Sequence, residues 1–173
     1  KNMNEADILN LIQQLAPRLI EKNRVLATAE SCTGGWIAKS ITDMDGSSHW
    51  FDCSIISYSN ASKQALLGVK APTLDAYGAV SQTVVEEMVL GLLNRCNANI
   101  GIAISGVAGP GGGSDEKPVG TVWIAWAIPG ELIESTRFQF DGDRSGVRLQ
   151  GVFEALKGVE RLLLSATGGQ SGG

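Results

Sequence analysis

Residues 25–41 read VLATAESCTGGWIAKSI and decide the fold class, because an apolar strand turns directly into a helix there. The apolar run 25–29 is typical of a short buried strand, and residues 36–41 have the apolar spacing of a helix. The turn at 30–35 contains two hydroxyls, a thiol and two adjacent glycines. Such a turn can expose a nucleophile, gather backbone N–H groups and let a substrate approach closely. An ordinary turn of small residues has the same composition, so the rest of the chain must decide its function.

Strands and helices alternate on both sides of this turn, which indicates an α/β layered domain. Asn4, Asn60, Ser81 and Asp143 are the expected N-caps of four helices, and Pro17 is expected to kink or interrupt the first helix. Two late consecutive strands make the sheet mixed. We therefore predict a three-layer α/β/α fold with a mixed, mostly parallel central sheet. The predicted strands are 25–29, 53–58, 100–104, 121–128 and 132–140; the single domain spans 5–165, and a flexible Gly/Ser tail occupies 166–173.

Composition and charge exclude several classes of protein. At 173 residues the chain fits one domain that can bury a proper core. The net charge of −4 argues against a nucleic-acid partner, which normally meets a basic face. No apolar run approaches the roughly 18 residues that a bilayer span needs. The three widely spaced cysteines suit reduced thiols in a cytoplasm. We expect a cytoplasmic protein without nucleic-acid or membrane partners.

A single histidine, His49, limits the possible chemistry. A His-rich zinc site is impossible and no CxxC pair replaces it, so we expect no metal and no cofactor. A Ser-His-Asp triad would need His49, which lies beside Trp50 and Phe51 and is expected to be a half-buried packing residue. Any general base is therefore expected to be a lysine or a carboxylate.

Three polar loops follow predicted strands and would converge if those strands are parallel neighbours. They carry Ser31, residues 58–63, and the glycine-dense segment 105–113. The last loop can cradle a phosphate or an oxyanion, although it fits neither a Walker A motif nor a dinucleotide-binding fingerprint and would also suit a flexible crossover. Arg144 begins the last helix and can contribute a guanidinium to an anion site.

Lys63 has an unusual electrostatic position if Asn60 caps its helix. The positive end of the helix dipole disfavours an ammonium in the first turn, and partial desolvation would further ease loss of its proton. A neutral lysine can act as general base for a serine hydroxyl, although a solvated surface lysine is the alternative. Tyr58 can donate or accept a proton nearby. Cys32 is either a second candidate nucleophile or a small buried filler under the turn.

Six segments of the chain are notable together for their order and spacing. They are AESCTGG at 29–35, YSN at 58–60 followed by Lys63, GAVS at 78–81, SGVAGP at 105–110, KPVGTV at 117–122 and GDR at 142–144. With these segments the chain resembles the CinA carboxy-terminal domain family, the bacterial nicotinamide-nucleotide amidases, over roughly residues 5–165.

The resemblance implies metal-free hydrolysis of the carboxamide of nicotinamide mononucleotide to nicotinate mononucleotide and ammonia, in pyridine-nucleotide recycling. It implies Ser31 as nucleophile, Lys63 as base and Tyr58 as an assisting residue. We expect a homo-oligomer, most simply a dimer, that takes a small nucleotide substrate. A catalytically silent binding module of the same fold is the alternative, and a phosphotransferase is a weaker one. The substrate-binding residues are expected to be Thr33, Gly34, Gly35, Ser105 and Gly106, to which we add Arg144 for the substrate phosphate.

Overall fold

A computed structural model describes residues 2–165, and the tail predicted at 166–173 lies outside the described residues. These described residues contain six α-helices, five strands and a short 3₁₀ helix at Ser47–His49. The strands are β1 (Leu26–Glu30), β2 (Phe51–Ile56), β3 (Ile100–Gly106), β4 (Thr121–Ile128) and β5 (Leu132–Gln139). The helices are α1 (Glu5–Glu21), α2 (Trp36–Thr42), α3 (Asn60–Leu67), α4 (Ala71–Tyr77), α5 (Gln82–Leu93) and α6 (Arg144–Ser165).

The five strands form one mixed sheet in the order β2-β1-β3-β4-β5. β1 pairs in parallel with both β2 and β3, whereas β4 pairs antiparallel with β3 and with β5. Four strands therefore share one direction and β4 opposes them. The predicted layered fold with a mixed, mostly parallel sheet is confirmed.

The two faces of the sheet differ in side-chain size. The face under α1, α2 and α6 carries large residues, while the face under α5 carries alanines. A Cβ added to Gly101 on β3 would lie 3.1 Å from Val89 and Leu93 of α5, which shows how closely this helix lies on the sheet. The alanine face consists of Ala27, Ala29, Ala103, Ala125 and Ala127, and the opposite face includes Leu26, Ile100, Ile102, Ile104, Ile124 and Trp126.

Side-chain caps fix several helix starts. Asn4 forms a capping box with Asp7 at α1, and Ser81 caps α5 as predicted. Asn60 was the wrong cap for α3, because Ser59 accepts from the Ser62 N–H and Asn60 is the first helical residue. Asp143 accepts from the Gly146 N–H at 2.8 Å at the start of α6, as predicted.

Pro17 does not interrupt α1, so the interruption that the sequence allowed is wrong, while a kink stays a prediction. The helix runs to Glu21, and its buried face continues through Leu15, Ala16 and Leu19. Proline removes one helical hydrogen bond, and burial of Leu19 beyond it favours continuation of the helix. Within residues 2–165 no helix is both long enough and apolar enough to cross a bilayer.

Candidate active site

Ser31 lies immediately after β1, at the carboxyl end of a strand with parallel neighbours on both sides. The chain leaves β1 for β2 on one side and later enters β3 on the other, which makes this edge a topological switch point, where α/β proteins commonly bind ligands. The Ser31 N–H donates to the Ile104 carbonyl at 3.1 Å, and the Ser57 N–H donates to the Glu30 carbonyl at 2.9 Å. The loops that follow β1 and β2 are thus joined to neighbouring strand ends, and the predicted convergence is confirmed.

Lys63 is buried, with 1% of its surface exposed, and its amine lies against Ser31. Lys63 Nζ is 2.9 Å from Ser31 Oγ, 2.7 Å from the Ser57 carbonyl oxygen and 3.3 Å from the Tyr58 carbonyl oxygen. Burial lowers the pKa of Lys63 from 10.5 to about 8. The solvated-surface alternative for this lysine is therefore wrong.

The three neighbours of Lys63 match the bonding capacity of a neutral amine. A neutral amine has two N–H donors and one lone pair, whereas an ammonium has three donors and no acceptor. The carbonyls of Ser57 and Tyr58 can accept only, so they can take both N–H groups. The lone pair then remains for the hydroxyl hydrogen of Ser31, which is the geometry that proton abstraction requires.

Glu30 organises the turn that carries Ser31, a role that the sequence pattern did not predict. Its side chain is fully buried and accepts from the Thr33 hydroxyl at 2.7 Å and from the Ile37 and Ala38 N–H groups at 3.0 Å each. The two N–H groups belong to the first turn of α2, whose cap residue Gly35 has no side chain. A carboxylate is favoured at this positive helix end. An acid shortly before a glycine-capped helix was the available signal.

Arg148 holds the same turn from the outside and was also missed. Its Nε donates to the Cys32 carbonyl at 2.9 Å, its Nη2 donates to the Thr33 carbonyl at 3.1 Å, and its guanidinium lies 5.4 Å from the ring centroid of Trp36. These contacts depend on how α6 crosses the turn, and no local sequence pattern predicts them.

Cys32 occupies the buried side of the turn. It is 9% exposed, and burial raises the pKa of its thiol to about 12. A thiol with so high a pKa is almost entirely protonated near neutral pH and is a poor nucleophile. The structure therefore favours the predicted packing role of Cys32.

A cleft of about 290 Å³ opens beside Ser31. Arg144 spans it, because its Nη1 donates to the Gly109 carbonyl at 2.7 Å and its Nη2 donates to the Tyr58 hydroxyl at 3.1 Å. The phenol of Tyr58 therefore bonds to Arg144, and it is the Tyr58 backbone carbonyl that contacts Lys63. The cleft is lined by Ser31, Cys32, Tyr58, Val80, Gly106, Val107, Ala108, Gly109, Gly111, Gly112 and Arg144.

Four predicted substrate-binding residues do not line this cleft. Thr33 is fully buried with its hydroxyl on Glu30, and Ser105 is 2% exposed within β3. Gly34 and Gly35 adopt positive φ angles of 60° and 98° and shape the turn. Gly106 and Arg144 do line the cleft. Thr33, Ser105, Gly34 and Gly35 therefore support the turn and the strand and do not form the wall of the cleft.

Two other features lie away from Ser31. His49 is exposed in the 3₁₀ helix instead of half-buried, because Trp50 takes the buried position at 1% exposure. A larger groove of about 950 Å³ runs between β5 and α6 and includes none of the predicted site residues. The smaller cavity at Ser31 is the one lined by predicted site residues.

Comparisons with known proteins identify relatives of this chain. The family model described as the CinA C-terminal domain matches residues 9–163. The nicotinamide-nucleotide amidohydrolase PncC of Pseudomonas putida is 50% identical over 155 residues, covering 90% of this chain and 96% of that protein. The protein of the same name from Escherichia coli K12 is 46% identical over 166 residues, covering 95% of this chain and 100% of that protein. The crystal structure of the competence/damage inducible protein CihA from Agrobacterium tumefaciens superposes with a TM-score of 0.88 at 37% identity, covering 94% of this chain and 98% of that chain.

Proposed function

Because the chain belongs to the CinA C-terminal domain family, we propose that it is an amidase that hydrolyses the carboxamide of nicotinamide mononucleotide to nicotinate mononucleotide and ammonia. The names of its curated relatives support the reaction class and the substrate. One observation carries the proposed mechanism: the buried amine of Lys63 lies 2.9 Å from Ser31 Oγ beside a cleft of about 290 Å³.

The first half of the reaction forms an ester on Ser31. Lys63 accepts the hydroxyl proton while Ser31 Oγ attacks the carboxamide carbon. The resulting tetrahedral intermediate collapses as its nitrogen takes the proton from Lys63 and leaves as ammonia. The nicotinoyl group is then bound to Ser31 Oγ through an ester bond.

The second half hydrolyses that ester. Lys63, neutral again after ammonia departs, accepts a proton from a water molecule that attacks the ester carbon. The bond to Ser31 Oγ breaks, the proton returns to Oγ, and nicotinate mononucleotide leaves. The balance is one water consumed and one ammonia released, and no step calls for a metal ion.

Arg144 is the proposed anchor of the substrate phosphate. Its guanidinium lies at the start of α6, where a cation and a helix end both favour an anion. Its present partners are a carbonyl and a phenol. A dianionic phosphate is a stronger acceptor than either, so substrate binding would redirect Arg144 and release the hydroxyl of Tyr58 toward the reacting groups. This exchange is the proposed way in which Tyr58 assists.

The proposal places the reaction in cytoplasmic pyridine-nucleotide recycling. The three free cysteines agree with a reducing compartment.

Ammonia release from nicotinamide mononucleotide, without added metal or ATP, tests the proposal. The unmodified protein should release one ammonia for each nicotinate mononucleotide that chromatography detects, and Ser31→Ala should release none above background. Ser48→Ala, which removes an exposed serine hydroxyl outside the cleft, is the matched control and should keep full activity. Binding without ammonia release by the unmodified protein would instead establish the silent binding module. Substantial turnover by Ser31→Ala would place the nucleophile elsewhere.

A further inference from the structure

Three metal-ligating side chains meet at a point that the amidase mechanism does not use. Asp52 and Cys53 lie on β2, and Cys96 follows the end of α5. One carboxylate oxygen and the two Sγ atoms all lie within 4.8 Å of one another. The two cysteines are far apart in sequence, which is why no CxxC-type spacing revealed them.

This cluster is separate from the Ser31 cleft. Phe51 at the start of β2 pairs with Leu26, whereas Ile56 at its end pairs with Glu30, directly before Ser31. Cys53 and Asp52 therefore belong to the half of β2 remote from the nucleophile. None of the three residues lines the cleft.

The ligand set has the chemistry of a thiophilic cation site. Thiolates select soft or borderline metals such as Zn²⁺, whereas Mg²⁺ and Ca²⁺ prefer oxygen. Zinc bonds of about 2.3 Å to sulfur and about 2.1 Å to oxygen put tetrahedral ligands roughly 3.5–3.8 Å apart. Atoms within 4.8 Å need small side-chain adjustments to reach that arrangement.

The carboxylate is already held in place. The Asn97 N–H, one residue beyond Cys96, donates to Asp52 Oδ2 at 3.0 Å. This bond joins β2 to the segment after α5, so the ligands from both elements are positioned before any cation arrives. Asp52 is exposed, while Cys53 and Cys96 are half-buried, which leaves one side of the cluster open to solvent.

We propose that Asp52, Cys53 and Cys96 form a three-ligand binding site for Zn²⁺, with a water molecule as the fourth ligand. The ion links edge strand β2 to the segment after α5. A Cys53–Cys96 disulfide is the competing arrangement. The Asp52 carboxylate beside the two thiols favours a cation, because a carboxylate can ligate a metal ion but takes no part in a disulfide.

Cobalt substitution tests the site directly. Titration of the reduced protein with Co²⁺ should produce thiolate-to-cobalt charge-transfer absorption that saturates at one equivalent, and Zn²⁺ should displace it. Cys53→Ser and Cys96→Ser should each abolish the band, and Asp52→Asn should cause a loss of Co²⁺ affinity, because a neutral amide replaces the carboxylate ligand. Cys32→Ser is the matched control and should keep the band, because Cys32 lies in the turn after β1.

Three results would overturn the site. The first is absence of the charge-transfer band in the unmodified protein. The second is persistence of the band in a folded Cys53→Ser or Cys96→Ser variant. The third is oxidation of two of the three thiols to a disulfide in air, with no cobalt binding after that disulfide is reduced. Folding of each variant is checked by circular dichroism. Ammonia release measured with EDTA present keeps the two proposals distinguishable, because the amidase reaction should continue without the cation.

Discussion

Raising the pH from about 6 to about 10 should increase kcat/KM for nicotinamide mononucleotide in a single step with its midpoint near pH 8. The base must be neutral to accept the Ser31 proton, so activity follows the deprotonated fraction of Lys63. Burial lowers the pKa of Lys63 from 10.5 to about 8. Activity is therefore low below this pKa and reaches a plateau above it.

The size of the step follows from these two pKa values. With a pKa of about 8, roughly one tenth of Lys63 is neutral at pH 7, so kcat/KM should rise about tenfold from there to the plateau. With a pKa of 10.5, about one molecule in 3,000 would be neutral at pH 7. Burial thus increases the population of active base by about 300-fold.

Steady-state ammonia release across the pH series, with circular dichroism to confirm folding at each pH, provides the measurement. A mechanism that used the Cys32 thiolate would instead keep accelerating past pH 10, because the pKa of Cys32 is raised to about 12. Cys32→Ala should therefore keep the midpoint near 8. A flat profile between pH 6 and 9, or a continuous rise without a plateau, would refute the assignment of Lys63 as the base.

Four further outcomes are expected. Lys63→Arg should be as inactive as Lys63→Ala in the ammonia assay, because arginine keeps the charge but is not deprotonated; retention of most activity would mean that Lys63 is an electrostatic anchor. EDTA should leave the initial rate unchanged, and loss that a divalent ion restores would contradict the metal-free mechanism. Nicotinamide riboside should be a poor substrate, and Arg144→Ala should reduce the difference in turnover between the riboside and the mononucleotide. Equal turnover of both substrates by the unmodified protein would contradict the proposal that Arg144 binds the substrate phosphate. Gly91→Ala should lower the free energy of unfolding by about 2 kcal/mol or more in urea titration, because its Cβ would lie 1.7 Å from the Leu67 carbonyl oxygen, whereas Gly111→Ala meets nothing within 4 Å and should be near neutral.

Most of the fold could be predicted from local sequence patterns, because most helices and strands depend on residues close in sequence. The alternating segments and the caps at Asn4 and Ser81 depend on nearby residues alone. α4 was missed because its seven residues bury only Thr73 and Leu74 and show no apolar period. Pro72 in its first turn also resembles a loop signal, although proline is well tolerated there.

Some of the candidate site could be predicted from local sequence and some could not. The proximity of Ser31 and Lys63 could be predicted because one lies at a strand end and the other at a helix start. The direction of the Tyr58 side chain could not be predicted, because either the phenol or the backbone carbonyl of this residue could contact the lysine. Arg148 was beyond prediction because its bonds to the Ser31 turn arise from the crossing of α6, a tertiary event that neither sequence neighbourhood encodes.

The strand order has a consequence for amide hydrogen exchange. All five residues of β1 are buried and both of its edges are paired, so its amides should exchange mainly through global unfolding. β2 is an edge strand of half-buried and exposed residues, and such strands open through smaller fluctuations. Ser31 directly follows β1, whose amides should exchange slowly. The Ser57 and Tyr58 carbonyls that bind Lys63 follow β2, whose amides should exchange faster. On heating, the base should therefore lose its alignment before the nucleophile does, and activity should decline while the centre of the sheet is still protected.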